Sequence, residues 1–86
     1  MIQRSEDTPW TTIEGEVLMM SIEKGQYFSL NAIGSRIWDL LETPTEHATL
    51  VRQLTEEYDV PAEVCREQVG SFLARLRDRG LLIEVD

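Results

Sequence analysis

Glu16-Val17-Leu18-Met19-Met20-Ser21-Ile22, then Glu23-Lys24-Gly25, then Gln26-Tyr27-Phe28-Ser29-Leu30-Asn31, with Ile37-Trp38-Asp39-Leu40-Leu41 following, is the stretch that decides the fold. The first and third runs are apolar and β-rich, and the charged, glycine-containing run between them has hairpin chemistry. Asn31 then stands where a helix N-cap belongs, its side-chain oxygen available to the free amides of a first turn. Alternation puts Leu18, Met20 and Ile22 on one face of the first run and Val17, Met19 and Ser21 on the other. Both faces are apolar at their centre. Such a strand is covered on both sides, or on one side only when a partner binds. In the later run Gln26, Phe28 and Leu30 share one face, with Tyr27 and Ser29 on the opposite one.

Upstream, Trp10 to Ile13 predicts a short strand with Trp10 as an apolar lid, and Gly15 marks a turn or bulge. Met1 to Pro9 reads as a flexible lead-in. It has no apolar run of the signal-peptide kind. Downstream the pattern predicts three helices. The first spans Ala32 to about Glu42, with Ile33, Ile37, Leu40 and Leu41 as its buried stripe and Gly34 letting its start approach the sheet. Thr43-Pro44-Thr45 ends it, and Thr45 is the expected N-cap of a second helix from Glu46 to about Glu57. Asp59-Val60-Pro61 opens the third and longest helix, which ends at Gly80 in the position that favours a left-handed residue. Leu81 to Val85 predicts a closing strand or extended tail. The expected core is Trp38, Phe72, Leu40, Leu41, Leu73 and Leu76. The fold class is therefore α+β, winged helix-turn-helix-like, a three-stranded antiparallel sheet followed by three helices. Its 86 residues make one domain, because two cores would each be too small.

Composition removes several function classes. The net charge of −8 argues against nucleic acid, since phosphate neutralisation needs a basic surplus. Positive charge concentrates in one place, with Arg66, Arg75, Arg77 and Arg79 between Pro61 and Gly80. A winged-helix DNA reader would contact bases from the N-terminal part of that helix, where this sequence has Glu63 and Glu67. The single cysteine, Cys65, falls on the apolar stripe as a buried thiol, cannot form an internal disulfide and fits a reducing compartment. His47, the only histidine, has no nucleophile or carboxylate partner and reads as exposed. No metal-ligand spacing, phosphate loop or run of roughly 20 apolar residues is present. The expectation is a cytoplasmic protein with no catalytic residues, metal or cofactor, and no membrane partner.

The strand-turn-strand run from Val17 to Asn31 resembles the signature of the PqqD-like family. Gly34, Ile37-Trp38-Asp39-Leu40-Leu41, Leu54-Thr55-Glu56-Glu57-Tyr58-Asp59-Val60 and Phe72-Leu73-Ala74-Arg75-Leu76-Arg77-Asp78-Arg79-Gly80-Leu81-Leu82 extend the likeness over about Glu16 to Val85. These domains are RiPP recognition elements, which bind the leader of a ribosomally made precursor peptide. Within the family the chain is most similar to the stand-alone lasso-peptide type, on its Arg79-Gly80-Leu81-Leu82 ending and its Tyr27-Phe28-Ser29-Leu30-Asn31 strand end. Met19-Met20 departs from the Leu-Asp-like pair common in the family, and serves either a permissive surface or plain space filling.

The resemblance implies that the leader adds as a further strand beside the later strand, in a groove against the third helix. A free edge invites such pairing. The candidate leader-binding residues are Gln26, Tyr27, Phe28, Ser29 and Leu30 on the strand, and Phe72, Arg75, Leu76 and Arg79 on the helix. The last four share one helical face at i, i+3, i+4 and i+7. Phe72 and Leu76 read either as groove wall or as core. Arg75 and Arg79 read either as partners of acidic leader residues or as a solvated helix end. A leader peptidase and a cyclase are the implied enzyme partners. The alternatives are leader presentation to a radical enzyme or a pyrroloquinoline quinone-type pathway and, more distantly, DNA binding.

Overall fold

The computed structural model describes residues 1–21 and 25–85. Along the chain these form β1 (Ile2–Arg4), β2 (Trp10–Ile13), β3 (Glu16–Ser21), β4 (Gln26–Ser29), α1 (Ala32–Leu40), α2 (His47–Glu57), α3 (Ala62–Asp78) and β5 (Leu82–Glu84). Strands β2, β3 and β4 make an antiparallel sheet in that order, and β1 pairs with β5 in a second, two-stranded sheet. Glu14 and Gly15 both have positive φ, 52° and 82°, which is the two-residue hairpin geometry that matches strand twist. The expected turn at Glu23-Lys24-Gly25 lies outside the described residues except for Gly25.

Register settles which face of β3 is the core. Trp10, Met19 and Phe28 line up across the sheet, as do Thr11, Leu18 and Ser29. Val17 and Met19 are buried, whereas Leu18 and Met20 are half-buried on the outer face. The helices cover the Val17/Met19 side. Ser35 ties α1 to this sheet: its Oγ accepts from Val17 N at 2.9 Å and donates to Leu30 O at 3.1 Å. Asn31 caps α1 as expected, Oδ1 accepting from Gly34 N at 2.8 Å.

The N-terminal residues differ from the flexible lead-in expected of them. Ile2 exchanges backbone hydrogen bonds with Thr45 at 2.8 and 2.9 Å and is buried in the core. Arg4 lies over two indoles, 4.8 Å from the Trp10 ring and 5.5 Å from the Trp38 ring, and donates to Trp38 O. An arginine stem that packs while its head stacks gives three residues of strand a strong hold. Thr45 is spent on this junction. Its single Oγ1 hydrogen is shared between the Thr43 and Leu40 carbonyls, at 2.8 and 3.1 Å, and the α2 N-cap is Glu46, without a side-chain hydrogen bond.

The core has two lobes. One gathers Ile37, Leu41, Leu50, Leu54, Val69 and Leu73; the other gathers Val17, Met19, Leu30, Trp38, Leu76 and Leu81. Phe72 and Leu82 pack against both. Helix α3 closes on a Schellman motif: Gly80, at φ 72°, donates to Arg77 O, and Leu81 donates to Leu76 O, each at 3.0 Å.

Candidate leader-binding groove

β4 is an edge strand whose outward face can be derived from one bond. Leu30 N donates to Val17 O at 2.8 Å. Alternation then turns the peptide groups of Phe28 and Gln26 toward β3, and those of Tyr27 and Ser29 away from it. Two N–H and two C=O groups therefore face outward. β2 is the sheet's other edge; what distinguishes β4 is the wall beside it.

That wall is α3. Arg79 Cζ lies 4.0 Å from the centroid of the Phe28 ring, which carries the C-terminal end of the helix across the strand. Further back along α3, Arg75 Cζ lies 5.8 Å from the Phe72 ring. Phe72 meets the first turn of α1, where a Cβ on Gly34 would stand 3.1 Å from Phe72 Cε1. The close approach foreseen at Gly34 is thus to α3 rather than to the sheet. Past the end of β4, from Asn31 on, a cavity of about 550 Å³ lies between α1, the end of α2 and α3, lined by Ile33, Tyr58, Val60, Val64, Phe72 and Arg75 among others.

The expected site residues divide by what they touch. Phe28 and Arg79 are half-buried and in contact, and Phe72 and Arg75 adjoin them. Tyr27 is 69% exposed on the outer face, so it and Phe28 line opposite sides of the strand. Gln26 and Ser29 are exposed. Leu30 and Leu76 are core residues, 8% and 3% exposed, and back the groove from behind. Ile33, Tyr58, Val60 and Val64 were not anticipated as groove lining. Ile33 fits the spacing of the buried stripe but is 39% exposed and lines the cavity. An apolar residue in a helix's first turn, one turn before the stripe's first buried member, is the signal that could have found it.

The charges are arranged in two kinds. Arg36 holds Glu57 with two 2.8 Å bonds that strap α1 to α2, and Gln53, also on α2, adds a third bond to the same carboxylate. The Arg36 hydrogen bond, then that from Gln53, draws the Glu57 carboxyl down to about 2 from 4.5. The same bond raises Arg36. Arg77 pairs with Glu84 at 3.1 Å. Arg75 and Arg79, in contrast, have no carboxylate partner among the described residues. Cys65 is buried, its Sγ 3.8 Å from Val51 O, and His47 is exposed. No group of three or more potential metal ligands occurs among the described residues. No helix there is long and apolar enough to cross a membrane.

An open edge strand, an aromatic and cationic helix beside it and a cavity past its end are the geometry of domains that accept an added strand. The sequence profile of the family described as coenzyme PQQ synthesis protein D (PqqD) matches residues 16–82, and the chain belongs to that family. Among solved structures it is similar to TbiB1, solved in complex with the TbiA(beta) leader peptide, at 31% identity over 98% of both chains and a TM-score of 0.86. It shares its fold with a lasso peptide synthetase B1 complexed with the leader peptide, at 17% identity, 96% and 98% coverage and a TM-score of 0.83. No curated protein sequence matches the chain.

Proposed function

We propose that this protein binds the leader segment of a ribosomally synthesised precursor peptide by strand addition to β4 and presents it to maturation enzymes of lasso-peptide biosynthesis. The observation that carries this reading is the open edge of β4 facing Phe72, Arg75 and Arg79, in a chain similar over 98% of its length to one solved with a leader peptide. The outward N–H and C=O groups of Tyr27 and Ser29 give affinity independent of leader sequence; Phe28, Phe72 and the cavity behind them select apolar side chains; Arg75 and Arg79 select acidic ones. Leu76 and Leu30 hold this wall in place. The role asks for positioning alone, so the chemistry falls to separate cytoplasmic partners, a leader peptidase and a cyclase.

The family's own description supports a second reading, presentation of a leader to a radical enzyme in a pyrroloquinoline quinone-type pathway. Fluorescence anisotropy with labelled leaders tests both. Saturable binding of a lasso-type leader, weakened about two- to tenfold by Arg75→Ala or Arg79→Ala with the Tm held, is the expected outcome. Binding only to a leader of the other pathway favours the second reading. Binding to neither rejects both.

A further inference from the structure

The strand that must stay open carries no protection of its own. Edge strands are normally blunted by lysine, proline, a bulge or an inward charge. Gln26-Tyr27-Phe28-Ser29 has none of these, although the chain is rich in charge elsewhere. The charge that covers this edge comes instead from another element. Arg79 of the α3 C-terminus places its guanidinium 4.0 Å from the centroid of Phe28, the one aromatic residue of β4 that faces the groove.

The anchoring of Arg79 makes this more than a loose surface contact. It is the C-cap residue of α3, with its N–H donating to Leu76 O at 3.2 Å, and the Schellman bonds of Gly80 and Leu81 close around it. The root is fixed and only the side chain can swing. Its neighbour Arg77 points to β5 and is neutralised by Glu84, whereas Arg79 has no carboxylate partner among the described residues. A cation that covers an aromatic ring without a counter-charge is a provisional arrangement.

Resting on the leader-binding reading, we propose that Arg79 is a selectivity latch: it covers Phe28 in the unoccupied groove, admits a strand that brings a carboxylate opposite Phe28, and must be displaced by a strand that brings a neutral residue there. Phe28 faces β3 through a hydrogen-bonded pair, so an added antiparallel strand meets it in a non-hydrogen-bonded pair. There Cα atoms come to about 4.5 Å and side chains are closest. The incoming residue therefore lands on the guanidinium. An apolar or neutral residue there expels Arg79 from the ring or buries it without a partner. An aspartate or glutamate takes the cation and keeps it near the ring. A second fit follows along the groove. Arg75 and Arg79 are one helical turn apart, about 6 Å of rise, and alternate residues of a strand are about 6.7 Å apart. The spacing of inward side chains along a strand thus matches the spacing of the two cations.

The test is a double-mutant cycle on the intact protein, using the TbiA(beta) leader peptide with either Glu or Gln placed in turn at each inward strand position. One position is expected at which Glu binds the wild type about tenfold tighter than Gln. Arg79→Ala erases that preference, and Arg79→Lys restores part of it. The latch adds a signature that a plain ion pair lacks: Arg79→Ala binds the Gln peptide about two- to fivefold tighter than wild type does, because the ring is already uncovered. A Glu preference that survives Arg79→Ala overturns the proposal, as does a Gln peptide bound equally or more weakly by that variant. In either case the leader-binding reading stands. If no version of the peptide binds wild type while thermal unfolding shows folded protein, the leader-binding reading falls and the latch with it.

Discussion

Two glycine-to-alanine changes in two helices should behave oppositely, and the contrast tests how the groove is built. Gly70 sits in the middle of α3, where a Cβ would meet nothing within 4 Å beyond its chain neighbours and its own helix backbone. Alanine there removes the backbone entropy penalty of glycine in a helix at no steric cost, so Gly70→Ala should stabilise by about 1 kcal/mol. In a domain of this size that is roughly 4–8 °C in Tm. Gly34 in α1 stands to gain the same propensity, but its Cβ would meet Phe72 Cε1 at 3.1 Å, Phe72 Cζ at 3.2 Å and Asn31 Oδ1 at 3.3 Å. Carbon atoms prefer about 3.5–4.0 Å, so the ring must retreat by several tenths of an ångström, and it shifts most easily toward the open groove. The crowding costs about 1–2 kcal/mol, which offsets or slightly exceeds the helix gain.

Gly34→Ala should therefore show a Tm within a few degrees of wild type, on the low side, together with leader affinity reduced about three- to tenfold by the displaced ring. Gly70→Ala should raise Tm and leave leader affinity untouched. Differential scanning fluorimetry and anisotropy on the two variants are sufficient. If Gly34→Ala is stabilised as much as Gly70→Ala and binds leader like wild type, then Phe72 is not held at that distance by the first turn of α1.

Two further outcomes follow from the same geometry. Ser35→Ala strands the buried Val17 N–H and Leu30 C=O, which should cost about 2–3 kcal/mol and lower Tm by roughly 10–20 °C; an unchanged Tm would show that α1 is not tied to the sheet there. Glu57 has its pKa lowered to about 2 when folded, so its contribution to stability is complete above the unfolded value near 4.5 and is lost as pH falls through about 2. Chemical denaturation between about pH 5 and 2 should show that slope reduced in Glu57→Gln, whereas an identical slope would reject the strap.

The parts of the fold written in local chemistry were legible. Asn31 as a cap, Gly80 as the helix stop, the alternation of β3 and the thiol on the α3 stripe all depend on neighbours in sequence, and each appears as read. What was not legible depends on which distant segment arrives. Nothing in Ile2-Gln3-Arg4 marks a strand, because its hydrogen bonds go to residues about 40 and about 80 positions away and its arginine is held by two tryptophans. Thr45 was misread for the same reason: it has good N-cap chemistry, but the arrival of Ile2 gave its backbone another use. At the groove, periodicity names the residues on the α3 face without telling wall from backing. Phe72 and Leu76 stand four positions apart on one stripe, yet one is half-exposed beside a cavity and the other is sealed into the second core lobe.

That division determines which probe of the groove can be interpreted. Phe72 packs against both core lobes while its ring also lines the cavity, so truncating it removes a seam of the core together with part of the wall. A loss of leader binding in Phe72→Ala is therefore expected whether or not the leader touches the ring, since the seam positions α3 against β4. Leu76→Ala is worse placed, opening a cavity in a fully packed lobe. Arg75 and Arg79 extend from the same helical face and belong to neither core lobe; Arg75 is exposed, and Arg79 covers only the partly buried Phe28 ring. A binding defect there, with Tm held, reports on contact with the peptide. In a chain of 86 residues truncating the apolar wall also opens the core, so among truncations it is the cations that separate recognition from stability.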